Sequence, residues 1–199
     1  MILQDTFYTQ TDVLKIAKEL LGKVIVTEID NIKTSGKIVE VEAYTGINDK
    51  ASHAYNNKRT DRTKIMYCMG GVAYIYLCYG IHHLFNVVTN SKDIPHAILI
   101  RAIEPLDGIK YMLERRNRST LKTTLTSGPG ALSMALGLTT IYTGMSLQSK
   151  EIHIEDRGII VNDIICNTRV GVSYAQEDAL LPYRFYIKNN PYVSKGKGL

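Results

Sequence analysis

The chain has 199 residues, of which 45% are hydrophobic and 22% are charged, a composition typical of one ordinary folded domain. This composition excludes a disordered chain, and no apolar run is long enough to cross a bilayer. The formal net charge of +5 favours anionic partners, but charge alone does not identify those partners as nucleic acid. We therefore expect a single domain over residues 1–199, with no membrane partner.

The N-terminus and the cysteines indicate the compartment. Residues 1–5 lack the basic start and apolar stretch of a secretory signal. Cys68, Cys78 and Cys166 are odd in number and scattered, so they predict free thiols, and no C-x-x-C pair suggests zinc. We expect a cytoplasmic protein.

The first part of the chain predicts a helix, two strands joined by a turn, and a long loop, over residues 11–21, 23–29, 36–44 and 46–64. Thr11 is the expected helix cap and Gly22 the expected end. The turn is placed near Asp30 and Asn31. A long polar loop is uncommon inside a compact domain unless it has a function.

The rest of the chain predicts mainly strands, over residues 73–79, 84–89, 97–103, 151–155, 164–172 and 184–188. A helix over residues 109–116 follows a Pro/Gly break, and a turn at residues 127–130 precedes a short helix ending at Leu136. Together the elements predict one α+β domain with a curved, largely antiparallel β-sheet flanked by helices.

The predicted strand over residues 36–44 carries the most informative side chains. Strand alternation places the apolar residues Val39, Val41 and Ala43 on one face. The two carboxylates and the tyrosine, Glu40, Glu42 and Tyr44, lie on the other face. One interpretation is a solvated strand face. The functional interpretation is a cleft in which a glutamate activates water and the tyrosine stacks on a flat substrate.

Arg101 interrupts the almost wholly apolar run of residues 97–103. A buried guanidinium is costly unless a carboxylate pairs with it, and Glu42, Glu40 and Glu104 are the candidate partners. Such a pair is either a structural ion pair or part of an active site.

Tyrosines and basic residues indicate the kind of ligand. Tyr74 and Tyr76 share one face of their predicted strand, and Tyr79 leaves the other face beside Gly80. With 13 Tyr, 3 Phe and no Trp, the chain favours rings suited to stacking on bases, although most strand tyrosines pack. Nearby basic residues fit phosphate clamps or a solvated face: Lys58, Arg59, Arg62, Lys64, Arg115, Arg116, Arg118 and Lys122.

Several long motifs in order resemble the alkyladenine (3-methyladenine, or methylpurine) DNA glycosylase family. They occupy residues 36–44, 51–53, 73–80, 99–105, 169–172 and 184–186, together with Asn86, and the resemblance extends over residues 12–194. It implies a monofunctional base-excision-repair enzyme, without lyase activity or cofactor, that acts on double-stranded DNA. Such an enzyme flips out damaged purines, among them 3-methyladenine, 7-methylguanine, hypoxanthine and ethenoadenine, and hydrolyses their N-glycosidic bonds.

The resemblance also implies residue roles. Glu42 would activate the attacking water and Arg101 would help to hold that water, while Tyr79 would wedge into the duplex. The base pocket would be formed by Tyr44, Ala51, His53, Tyr76 and Asn86, with backbone groups of Ala51 and His53 reading the base edge and Asn86 crowding the 2-amino group of guanine. We expect a monomer, associated with the nucleoid, and no metal ligands.

Two rival interpretations remain from the residues alone. A non-catalytic nucleic-acid-binding module would explain the charge and the tyrosines but gives the Glu42–Arg101 pairing no purpose. A nuclease is disfavoured because the sequence lacks a metal-ligand cluster.

Overall fold

Eight strands form one antiparallel sheet in residues 1–196, the part of the chain that the computed structural model describes. The strands are β1 Val24–Ile29, β2 Ile32–Tyr44, β3 Ala73–Cys78, β4 His82–Thr89, β5 His96–Pro105, β6 Ile152–Glu155, β7 Ile164–Asn167 and β8 Arg184–Ile187. Their order is β3-β4-β5-β2-β1-β6, with β8 pairing both β2 and β7. Because β2 changes partner from β1 to β8 along its length, the sheet curls, and the predicted α+β class is confirmed.

Four α-helices accompany the sheet in the described residues: α1 Asp5–Tyr8, α2 Val13–Leu20, α3 Ile109–Arg115 and α4 Pro129–Leu136. Helix α2 packs on β2 and β5, and α4 packs on β4 and β5. The predicted cap at Thr11 is wrong, because the Asp12 carboxylate accepts the Leu14 and Lys15 N–H groups at 2.9 and 3.0 Å. Short 3-10 helices occupy the loops at Gly46–Asn48, Tyr55–Asn57, Lys64–Tyr67, Thr123–Leu125, Thr140–Tyr142 and Ser173–Leu180.

Turn chemistry sets the strand ends. Asp30 and Asn31 have left-handed φ values of 55° and 60°. These values fit a tight hairpin in which β1 and β2 remain paired up to the turn, at Ile29 and Ile32. Strand β2 therefore begins before the predicted position. The predicted strand over residues 164–172 is wrong in its second half, because β7 ends at Asn167 and Arg169 turns into the interior.

A β-bulge in β2 shifts the predicted alternation. Register shifts flank Glu40, and Val41 pairs with Ile100, so Val39 and Arg101 have no place in the regular pairing. As a result Ile38, rather than Val39, joins Val41 in the main core beneath the helices. Bulges of this kind commonly redirect side chains beside functional sites.

Two further expectations concern the state of the cysteines and the presence of a membrane-spanning segment. Cys68, Cys78 and Cys166 are free thiols, as predicted. None of the helices in residues 1–196 has both the length and the apolar character needed to span a membrane.

Candidate active site

A cavity lies on the face of β3 and β4 opposite the main core. It is lined by Tyr44, Ala51, Ser52, His53, Met66, Tyr74, Tyr76, Asn86, Ala97 and Tyr174. The structure thus brings together all the residues that the sequence assigned to the pocket, which are distributed over three strands and the loop after β2.

Aromatic rings form one wall of the cavity. The rings of Tyr74 and Tyr76 are 5.6 Å apart, and the His53 ring stands edge-on to Tyr76 at 4.6 Å. His53 Nδ1 lies 2.9 Å from the Tyr74 hydroxyl. Burial, together with the charges of Arg62 and Lys58, lowers the pKa of His53 to about 4. The imidazole is therefore neutral at pH 7, so one ring nitrogen donates and the other accepts.

Tyr44 connects the cavity to a buried carboxylate. Its hydroxyl donates to Glu42 Oε2 at 2.9 Å, and burial, reinforced by the Glu42 charge, raises the pKa of Tyr44. Glu42 Oε1 accepts the Val170 N–H at 2.7 Å and lies 3.2 Å from Arg101 Nη1. Glu42 has no exposed surface, so it stands directly behind the pocket wall rather than in it.

Arg101 bridges Glu42 to a second carboxylate. Its Nε donates to Glu40 Oε1 at 2.8 Å, and Arg184 Nε donates to the same oxygen at 2.7 Å. The backbone N–H of Ser194 donates to Glu40 Oε2 at 2.6 Å. Glu40 is therefore held on both oxygens by donors that lie away from the cavity, whereas Glu42 contacts a cavity residue.

These contacts decide two questions about the charged face: its exposure to solvent and the partner of Arg101. A solvated strand face is wrong, because Glu40 and Glu42 are completely buried. Arg101 pairs with both of them. Glu104 is the wrong candidate, since it forms an ion pair with Lys37 at 2.6 Å.

A second buried ion pair, between Arg169 and Asp49, lies beside Tyr44 of the cavity wall. Arg169 Nη1 and Nη2 donate to the two carboxylate oxygens of Asp49 at 2.6 and 2.8 Å, and neither side chain is exposed. Arg169 Nη1 also donates to the Ala43 carbonyl, and its guanidinium lies 4.8 Å from the centre of the Tyr44 ring. Sequence reasoning missed Asp49; the available signal was an acidic residue in a long loop close to the 51–53 motif.

The β3–β4 turn projects an aromatic ring into solvent. Tyr79 is 91% exposed and has a left-handed φ of 51°, which is uncommon for a bulky residue and points to a constrained turn. The predicted strand ended at Tyr79, whereas β3 ends at Cys78. A ring this exposed has no packing role in the described structure.

The basic residues divide into two groups. Arg115 and Arg116 donate to the carbonyls of Ala135 and Leu125, so they join α3 to the following segments. Arg62 instead lies beside the cavity, 4.8 Å from the centre of the Tyr76 ring. Arg59 and Lys64 form ion pairs with Asp93 and Asp61, so the phosphate-clamp interpretation stays a prediction.

Comparison with known proteins assigns the class. The family model for methylpurine-DNA glycosylase matches residues 6–191. Proteins named "Putative 3-methyladenine DNA glycosylase" are similar to this chain: one from Chlamydia abortus is 50% identical over 94% of this chain and 100% of its own length. Others from Clostridium botulinum and Bacillus mycoides are 47% and 46% identical, over 98% and 96% of this chain and 100% and 98% of their own.

These matches define the protein as a DNA glycosylase, an enzyme class of base-excision repair. More narrowly, the chain belongs to the methylpurine-DNA glycosylase family, as its motifs predicted.

Proposed function

We propose that this protein excises 3-methyladenine, 7-methylguanine, hypoxanthine and ethenoadenine from double-stranded DNA by hydrolysing the N-glycosidic bond. The observation that carries the proposal is the hydrogen bond from Tyr44, in the aromatic cavity, to the buried Glu42–Arg101 pair. A base inside a duplex is out of reach, so it must be flipped into the cavity, and damage lowers the cost of flipping. Since one chain supplies the whole cavity, we expect a monomer, bound to the nucleoid where its substrate lies.

Glu42 is the proposed general base. Because Glu42 is fully buried, a water reaches it only when the Tyr44 hydroxyl releases Oε2. Held by Glu42 and Arg101, that water attacks the C1′ carbon, the C1′–N bond breaks with its electron pair leaving on the base, and the water's proton passes to Glu42. The sugar develops oxocarbenium character, which the carboxylate also stabilises. Arg101 and the Val170 N–H orient the carboxylate and stabilise its charge. Alkylated purines that carry positive charge are good leaving groups and need little acid assistance.

Selectivity is assigned to rigid groups around the base. Tyr44 stacks on it, with His53 and Tyr76 beside it, and backbone groups of Ala51 and His53 read its edge. Asn86 Nδ2 donates to the carbonyls of Tyr74 and Leu84 at 3.0 and 3.2 Å, so this side chain cannot swing away. A fixed side chain that crowds the 2-amino group of guanine excludes the normal base without costing adenine-like bases a hydrogen bond.

Incubation of methylated duplex DNA with the protein and EDTA tests the function. We expect free 3-methyladenine and 7-methylguanine with the DNA backbone intact. Borohydride should trap no covalent adduct, because a lyase needs an amine and no lysine lines the cavity in the described residues. Strand cuts without free base would instead indicate a nuclease, and binding without either product would indicate a non-catalytic module.

Tyr79→Ala should weaken the complex with an extruded base. The exposed ring at the β3–β4 turn fills the gap in the base stack, and base–aromatic stacking contributes about 1–3 kcal/mol. We expect a corresponding loss of roughly 5- to 150-fold in affinity for lesion duplex in fluorescence titrations. The loss should be smaller for a lesion in single-stranded DNA, and Tyr111→Ala, on α3, is the control. Equal losses on the two substrates would remove the wedge role.

A further inference from the structure

Tyr174 stands at the mouth of the cavity. It lines both the cavity and the adjoining groove that contains Lys50, Lys58 and Arg62. Its side chain is largely exposed, at 64% of the residue surface, while its hydroxyl donates to the Ala51 carbonyl at 3.1 Å. This tyrosine therefore does not serve the hydrophobic core, and its one recorded hydrogen bond ends on a backbone acceptor of the cavity.

The backbone that carries Tyr174 is firmly attached, although its ring is not. Within the segment Ser173–Leu180, the Asp178 carboxylate accepts the Lys50 N–H at 2.8 Å. Lys50 Nζ also donates to Gln176 Oε1 at 2.8 Å, and Arg169 Nη2 donates to the Asp178 carbonyl at 3.1 Å. The segment is thus fixed to the loop that holds Ala51, and only rotation of the tyrosine side chain is needed to release the carbonyl.

The hydroxyl of Tyr174 is a persistent donor near neutral pH. Burial of its hydroxyl end raises the pKa of Tyr174, so the phenol stays protonated. A carbonyl that already accepts one hydrogen bond at this position is a poorer acceptor for a second donor arriving from the same side. An entering base with an N–H on the edge that faces Ala51 competes with the phenol for this carbonyl, whereas a base without that N–H gains nothing by displacing the phenol.

We propose that Tyr174 is a specificity-determining residue, which occupies the Ala51 carbonyl and so selects against purines with an N–H donor on that edge. This inference rests on the proposed base-excision function. Hypoxanthine and ethenoadenine form a suitable pair of substrates, because both are uncharged. Hypoxanthine carries an N1–H donor, while the etheno bridge of ethenoadenine removes the N–H donors from the corresponding edge.

Tyr174→Phe should raise kcat/KM for hypoxanthine by about 2- to 10-fold, the size of one neutral hydrogen bond. It should leave kcat/KM for ethenoadenine within about twofold of the original value. Both are measured as base release from duplexes of identical sequence. Tyr55→Phe is the matched control, since Tyr55 lines the same groove, and it should leave kcat/KM unchanged for both substrates.

The outcomes separate this inference from the function itself. If the unmodified protein releases neither base, nor any alkylated purine, the proposed function fails. If the unmodified protein releases these bases, and Tyr174→Phe changes kcat/KM by the same factor for hypoxanthine and ethenoadenine or lowers it for hypoxanthine, Tyr174 is not the residue that determines specificity. Thermal melting of each variant shows whether an altered rate reflects lost folding, and Tyr174→Leu provides a second variant that lacks the hydroxyl.

Discussion

Glu42→Gln is expected to abolish base release while leaving the binding of lesion-containing DNA largely intact. The amide keeps the shape of the side chain but cannot take the proton from water, and a general base contributes about 10²–10⁴-fold to a rate. Single-turnover release of hypoxanthine measures the loss, and fluorescence titration measures binding. Turnover at a rate comparable to that of the unmodified protein would show that Glu42 is not the base.

The surroundings of Glu42 add a condition to this experiment. The Val170 N–H and Arg101 face Oε1 and the Tyr44 hydroxyl donates to Oε2, so a glutamine must turn its NH₂ group towards Tyr44, whose hydroxyl then has to rotate to accept, and Arg101 loses a charged partner. Some stability is lost for this reason, and thermal melting should establish that the variant is folded at the assay temperature.

Glu40→Gln is the matched control for Glu42→Gln. Glu40 is equally buried and shares Arg101, but its remaining donors come from Arg184 and Ser194, away from the cavity. The control should therefore lose stability and retain more activity than Glu42→Gln. Equal loss of activity in the two variants would require that both carboxylates share the role of base.

Asp49→Asn is expected to cause a large loss of folding stability. It leaves the fully buried guanidinium of Arg169 without its bidentate carboxylate, and breaking a buried pair costs about 3–5 kcal/mol. Since a domain is stabilised by only about 5–15 kcal/mol, the urea midpoint should fall markedly. Asp61→Asn is the control, because Asp61 pairs with Lys64 on the open surface. A loss no greater than in the control would contradict a structural role for the pair.

Rules that consider only residues close together in the sequence predicted correctly those parts of the fold that depend on such neighbours. The turn at Asp30 and Asn31, the helix over α2 and the antiparallel strands follow from side-chain size, periodicity and turn preference. Local rules failed at the bulge beside Glu40 and after Asn167. At these two places the pairing of distant strands, rather than propensity, sets the register and the end of the strand.

The sequence by itself determined the family, the α+β class and the residues that meet in the cavity, because its motifs are long and occur in order. The resemblance already gave the role of base to Glu42 rather than Glu40, and the tertiary structure added that Glu42 contacts Tyr44 whereas Glu40 is held by Arg184 and Ser194. It also brought Asp49 to Arg169 and Tyr174 to Ala51. Those partners lie more than a hundred residues apart, and their contacts depend on how the curled sheet and its loops pack, which no periodicity along the chain encodes.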